Sequence, residues 1–179
     1  MSQANLVTLI VGFSAALVAL IGYLLSQSSD RRNAKANSYA LALEAVKEFE
    51  ELPYRIARRP ASDGQTRADL GDKMSDAYVK LELYRAWTAI DSPLAGEAYS
   101  LLVSRDHKEV RPHIVQAWKF PVMSTDEHAP LNSHFDCDNA PEWDCCIRVM
   151  RRELSLFAPL LRPGTRRFVH EFALSAKRD

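Results

Sequence analysis

Twenty consecutive residues, Leu6 to Leu25, carry no charge. At ~1.5 Å rise per residue, a helix of that length spans ~30 Å, the hydrocarbon thickness of a bilayer. In lipid every backbone N–H and C=O must be bonded within its own segment, so a helix is the conformation open to a lone apolar run. The run therefore predicts a transmembrane helix. Two rival readings fit less well. A cleaved signal peptide calls for a basic start and a shorter apolar stretch. Met1 to Asn5 holds no basic side chain, although Ser26-Gln27-Ser28 has the small residues of a cleavage site. A buried core helix of a soluble protein is the other rival, and the length and all-round apolarity of the run oppose it.

The flanks set the expected direction. Arg31, Arg32 and Lys35 follow the run, and basic residues close to a span mark its cytoplasmic side. The N-terminal tail is then outside and residues 30–179 are cytosolic, in a single-pass protein of a cell inner membrane. Tyr23 falls at the inner interface, where an aromatic ring anchors a span.

One helix face of the run is made of small or weakly polar residues. Asn5, Thr8, Gly12, Ala15, Ala19, Gly22, Ser26 and Ser29 follow one another at alternating spacings of 3 and 4. Spanning helices gain no hydrophobic free energy by pairing in lipid, so they associate through close backbone approach and occasional hydrogen bonds. The stripe supplies both, and its mean spacing of ~3.5 suits a left-handed crossing. The expectation is a homo-oligomer within the bilayer. A ring of such helices with the stripe turned inward would line a pore.

The rest of the chain amounts to about one domain. With 23 basic and 23 acidic residues, the balance gives no electrostatic case for nucleic acid. Locally it is uneven. Pro141 to Asp179 has eight Arg or Lys against five Asp or Glu, a net of +3, whereas Ser62 to Val110 has six against nine, a net of −3. The basic end suits anionic lipid or an acidic partner, or is simply a solvated face. Three cysteines, Cys137, Cys145 and Cys146, do not make a disulfide framework.

Apolar spacing after the run is helical throughout, and no strand-like alternation of useful length occurs. The expected fold is all-α: one N-terminal transmembrane helix and a cytosolic bundle of about five helices. Residues 1–29 are tail and span, 30–60 a juxtamembrane helix and basic hinge, and 61–179 the bundle. The first helix continues through Tyr39, Val46 and Phe49 and stops before Pro53, with a basic loop over 53–64. Thr66 to Ile90 carries a core stripe of Leu70, Met74, Ala77, Leu81 and Tyr84, broadened by Tyr78, Trp87 and Ile90. Ser92 and Pro93 start a helix to about Ser104, and a shorter one spans Pro112 to Trp118. Residues 119–140 read as a long loop. Asn139 caps a helix over Pro141–Leu161, bent at Pro159. Arg162-Pro163-Gly164 is a turn, and Thr165 caps a last helix with Phe168 and Phe172.

Candidate chemistry gathers in the long loop. His128, His134, Cys137 and either Cys145 or Cys146 are residue types that close a tetrahedral zinc site. Their spacing matches no compact knuckle or ribbon, and the paired cysteines read more simply as one half-buried and one exposed residue at a helix start. His107 and His113 read as helix-end or surface residues. No Arg–His pair has the spacing of a small α-helical ribonuclease, and no phosphate-binding loop, Gly-x-Ser-x-Gly, His-Glu-x2-His or Cys-x2-Cys is present. No complete catalytic set is present, so the leading expectation is a non-enzymatic membrane scaffold. Its span self-associates and its cytosolic head binds a protein partner. A gated pore-forming effector of a bacterial defence or toxin module is one alternative, and a metal-binding sensor or enzyme is another.

Overall fold

The structure is a computed structural model that describes residues 3–123, 135–155 and 157–176, with side chains at Phe13 and from Leu17 onward. It is all-α, without a strand among the described residues. The described residues form six helices in order: α1 (Gln3–Glu50), α2 (Leu52–Ala57), α3 (Gly64–Asp91), α4 (Pro93–Ala117), α5 (Ala140–Glu153) and α6 (Ala158–Ser175). The chain divides into two compact units, Met1–Asn37 and Ser38–Asp179.

The first unit is entirely α1. Phe13, Leu17, Val18, Leu20, Ile21, Tyr23, Leu24 and Leu25 are all exposed, at 47% to 71% of their surface. No helix is long and apolar enough to cross a membrane among the described residues. Of the run Leu6–Leu25, only Phe13 and Leu17–Leu25 have described side chains.

The second unit is a helical bundle around one core. The last part of α1 buries Tyr39, Ala42, Ala45, Val46 and Phe49, the spacing expected from sequence. α2 occupies the start of the region that reads as a basic loop, and its Leu52, Pro53, Ile56 and Ala57 are buried. Pro53 belongs to its first turn, where a missing N–H loses nothing. Arg59 just beyond is buried as well. Its guanidinium donates to the carbonyls of Ile56, Ala117, Trp118 and Phe120 at 2.7–3.2 Å, and to Ser62 Oγ at 3.1 Å. Those bonds tie the segment after α2 to the end of α4.

α3 begins where Asp63 accepts a hydrogen bond from the Thr66 N–H at 2.7 Å, which holds its carboxyl below the usual range. Ala77 and Leu81 are buried, with Leu70, Met74, Tyr78 and Tyr84 packed against the core. Trp87 and Ile90 differ from expectation. Both point outward, Ile90 with 83% of its surface exposed, because the inward face at this end goes to Thr88.

α4 starts as expected at Ser92 and Pro93, with Ser92 Oγ accepting from the Ala95 N–H. It then runs unbroken through Pro112, so the two predicted helices are one. Pro112 sits on the exposed side, while Val110, Ile114 and Ala117 around it are buried. Packing of that face offsets the bond lost at proline.

The last two helices also depart from their predicted limits. α5 ends at Glu153, and Pro159 lies in the first turn of α6 rather than bending a longer helix. Arg162-Pro163-Gly164 is helical. Thr165 does not cap a helix but lies buried inside α6, with its hydroxyl donating to the Leu161 carbonyl at 2.9 Å. A proline this close to a helix start forfeits only one early backbone bond.

Candidate functional site

At the end of α1 in the second unit, polar groups from three helices meet inside the bundle. Asp106 of α4 has no exposed surface, and Asn139, immediately before α5, is also buried. The Asn139 amide Nδ2 donates to Glu50 Oε1 at 2.6 Å and, in a short contact, to Asp106 Oδ1. Trp143 Nε1 donates to the same Glu50 oxygen at 3.0 Å. Lys47 pairs with the other oxygen of Glu50, and its ammonium lies 4.5 Å from the centre of the Trp143 ring. Asn139 is thus not the side-chain cap expected of it. Its φ of −123° and ψ of 9° start the helix without a cap bond, and the amide is spent on two carboxylates.

Burial is the main force on Asp106, and it raises the carboxyl to about 7. The Asn139 bond and the Lys47 charge oppose that rise, while Glu50 and Glu142 add to it. Asp106 Oδ2 has no hydrogen-bond partner among the described residues. A carboxyl held near neutrality in this way accommodates either a neutral acid or an anion stabilised by the amide.

The neighbouring His107 is not the surface residue expected. Its ring stands 5.3 Å from Phe49 and 5.2 Å from Tyr78, in a three-ring cluster that joins α1, α3 and α4. Burial lowers its pKa, and its Nε2 lacks a partner among the described residues. His113 makes a second cluster, 5.6 Å from Phe135, which also meets Tyr54 at 5.0 Å and Phe120 at 6.1 Å. Its Nε2 lies 3.2 Å from the Asp136 carbonyl. Both histidines pack against aromatic rings.

His128 and His134 lie outside the described residues. Among those described, no group of three or more His, Cys, Asp or Glu is placed to hold a metal ion. The reading of Cys145 and Cys146 as one half-buried and one exposed residue is corrected: both are buried, because both fall on the inward arc of α5 with Val149 and Met150. Cys146 Sγ rests 3.9 Å from Met150 Sδ. Burial pushes these thiols up to about 11 and about 12, and half-buried Cys137 up to about 11. In each case burial favours the neutral thiol over the thiolate.

The stripe residues Asn5, Thr8, Gly12 and Ala15 lie in α1 or its first turns, their side chains outside those described. Ala19, Gly22 and Ser26 are exposed, and a methyl group at Gly22 would meet nothing within 4 Å. Tyr23 and Arg31 are exposed and Lys35 is half-buried. Arg32 turns back along the helix, its Nε donating to the Ser28 carbonyl at 3.4 Å.

Away from the buried knot, a cleft of about 790 Å³ opens between the start of α4 and α6. Glu97, Glu153, Arg162 and Arg166 line it together with Ser92, Pro93 and Pro163. Burial of Glu153 leaves Arg162 at 4.0 Å as a long ion pair.

Asp106 and the cleft were absent from the sequence reading. Asp106 had a usable signal, since Leu102, Asp106, Val110 and Ile114 lie on one helical face. Splitting α4 before Pro112 concealed it. The partnership of Glu50 with Asn139 had none, as 89 residues separate them.

The fold and these sites define an all-α helical protein with a buried carboxylate knot. Comparison with known protein families, curated proteins and solved structures finds no match.

Proposed function

We propose that the chain is a single-pass, membrane-anchored scaffold. In this reading Leu6–Leu25 spans a cell inner membrane and self-associates through its small-residue face, and the bundle binds a protein partner in the cytosol. The observation that carries the reading is the first unit itself. Its described apolar side chains are exposed around the helix, with none packed away. A helix apolar on every side is stable inside a core or in lipid, and water is the unfavourable surrounding for it. Leu6–Leu25 has the length to cross, and Arg31, Arg32 and Lys35 after it favour an inward head.

The buried knot gives the proposed binding head a fixed packing. Asp106 is enclosed and offers no surface to a substrate. Its partners join the end of α1 to α4 and α5, an arrangement that fixes one packing of the head.

Two measurements test the reading. After expression, the protein stays with membranes through alkaline carbonate washing; release into the wash would refute the span. Oligomeric mass in nanodiscs then compares the wild type with Gly12→Leu/Ala19→Leu. Assembly of the wild type and its loss in the variant support the stripe, and a monomeric wild type or an equally assembled variant removes it. A collapse of membrane potential on induction would replace the scaffold by a pore-forming effector.

A further inference from the structure

The corner between α5 and α6 has a composition that the bundle does not use. Phe157 and Leu160 are 63% and 77% exposed, and Leu161 is exposed beside them. All three lie within the first turn of α6 and the residue before it. Lone exposed apolar residues are ordinary on a protein surface, but a cluster of large ones on one turn marks a contact surface.

Leu161 shares its groove with three arginines, Arg148, Arg151 and Arg152. That groove lies between α5 and α6, and Arg162 and Arg166 line the separate cleft at the start of α4. Acidic groups are present too: Glu153 is buried with Arg162 beside it, Glu97 lines the cleft with Arg162 and Arg166, and Asp144 lines the groove as its one carboxylate against three arginines. Large exposed apolar side chains at a helix end, with arginines on the adjoining helix faces, match the interface of an anionic bilayer. There apolar groups enter the acyl boundary while arginines meet phosphates. The excess of basic residues from Pro141 to Asp179 has the same sign.

We propose that the α5–α6 corner, through Phe157, Leu160 and Leu161 with Arg151, Arg162 and Arg166, docks the head on an anionic lipid surface. The inference rests on the membrane-anchored reading above, which brings a bilayer within reach. Tyr39, the first buried residue of the bundle, follows Leu25 by 14 residues, ~21 Å of chain as a helix. A surface tethered that closely meets the bilayer at high effective concentration, so weak contacts suffice.

The test uses the full chain carrying Leu160→Cys, labelled with an environment-sensitive fluorophore, in nanodiscs holding one copy each. Cys145 and Cys146 are buried and Cys137 is half-buried, and the wild-type chain treated identically sets the labelling background. Discs of phosphatidylcholine alone are compared with discs containing phosphatidylglycerol. Docking gives a blue-shifted emission in the anionic discs. The shift is lost at high salt and in Arg151→Glu/Arg166→Glu, two exposed arginines, while the thermal melt of that variant stays that of the parent. Equal, water-like emission in both lipids from carbonate-resistant protein overturns the docking and leaves the anchor standing. A blue shift of equal size in neutral lipid, or one that appears only with two copies per disc, also overturns it. Release of the protein by carbonate overturns the anchor itself.

Discussion

The Tyr99 hydroxyl of α4 donates a hydrogen bond to the Ala42 carbonyl of α1 at 3.0 Å, with both residues fully buried. Here a side chain reads the backbone of a neighbouring helix and sets how the two lie against each other. Tyr99→Phe keeps the ring and removes the donor. Ala42 is inside α1, where its carbonyl also serves the helix, so the loss is about 1 kcal/mol. Denaturant unfolding of the two proteins measures it, and a change in midpoint without a change in slope is expected.

Gly96→Ala at the start of α4 is expected to destabilise by about 1–3 kcal/mol. A Cβ at this position would stand 2.4 Å from the Ala89 Cα and 2.7 Å from its Cβ, and backbone on α3 cannot yield as a long side chain does. The same substitution at Gly71, where nothing lies within 4 Å, is expected to be neutral or slightly stabilising. Thermal melts of the two variants distinguish close helix approach from a general effect of glycine replacement.

Arg59→Met is expected to lower stability by about 3 kcal/mol. It leaves carbonyls at the end of α4 without their donor. Arg59→Lys recovers only part of this, since one ammonium cannot span the acceptors that the planar fork reaches. Equal stability of all three proteins in chemical denaturation would remove Arg59 as the tie between α2 and α4.

Asp106 and His107 give opposite pH dependences. The Asp106 carboxyl is raised in the fold from 3.8 to about 7. Between those values the native state holds the proton that the unfolded chain has released. Stability from this residue is therefore complete below pH 3.8 and falls as pH rises toward 7, by an amount on the order of a few kcal/mol. Asp106→Asn is expected to flatten the melting temperature over that interval and to exceed the wild type at pH 8.

His107 has a lowered pKa in the fold. The unfolded chain then takes up its proton first, and stability falls as pH drops below 6.5. His107→Phe, which keeps a ring between Phe49 and Tyr78, is expected to remove that acid-side loss. A melting temperature series from pH 4 to 8 on both variants separates the two arms.

Much of the helical pattern was legible before any coordinate. The core face of α1 from Tyr39 to Phe49 and the caps Ser92 and Pro93 follow from spacing and local chemistry, which act over a few residues. The prolines misled for the same reason. Pro112 and Pro163 read as boundaries because a local rule sees the missing donor, and it does not see buried Ile114, Ala117 and Thr165 holding the helix together beyond them. Asn139 shows the limit from the other side: as a cap it was a sound local choice, and two carboxylates from distant segments took its amide instead.

The sequence by itself determined the all-α class, the placement of an uncharged 20-residue run in α1 and most of the apolar faces, because periodicity and capping are properties of neighbouring residues. Only the tertiary structure decided that Arg59 is buried, that Gly96 must lack a side chain and that Asp106 shares Asn139 with Glu50. Those outcomes depend on which surfaces meet, across the turn between α3 and α4 for Gly96 and across 33 to 89 residues of chain for the others. Burial then changes the chemistry of each group by removing its water, which no pattern along the chain records.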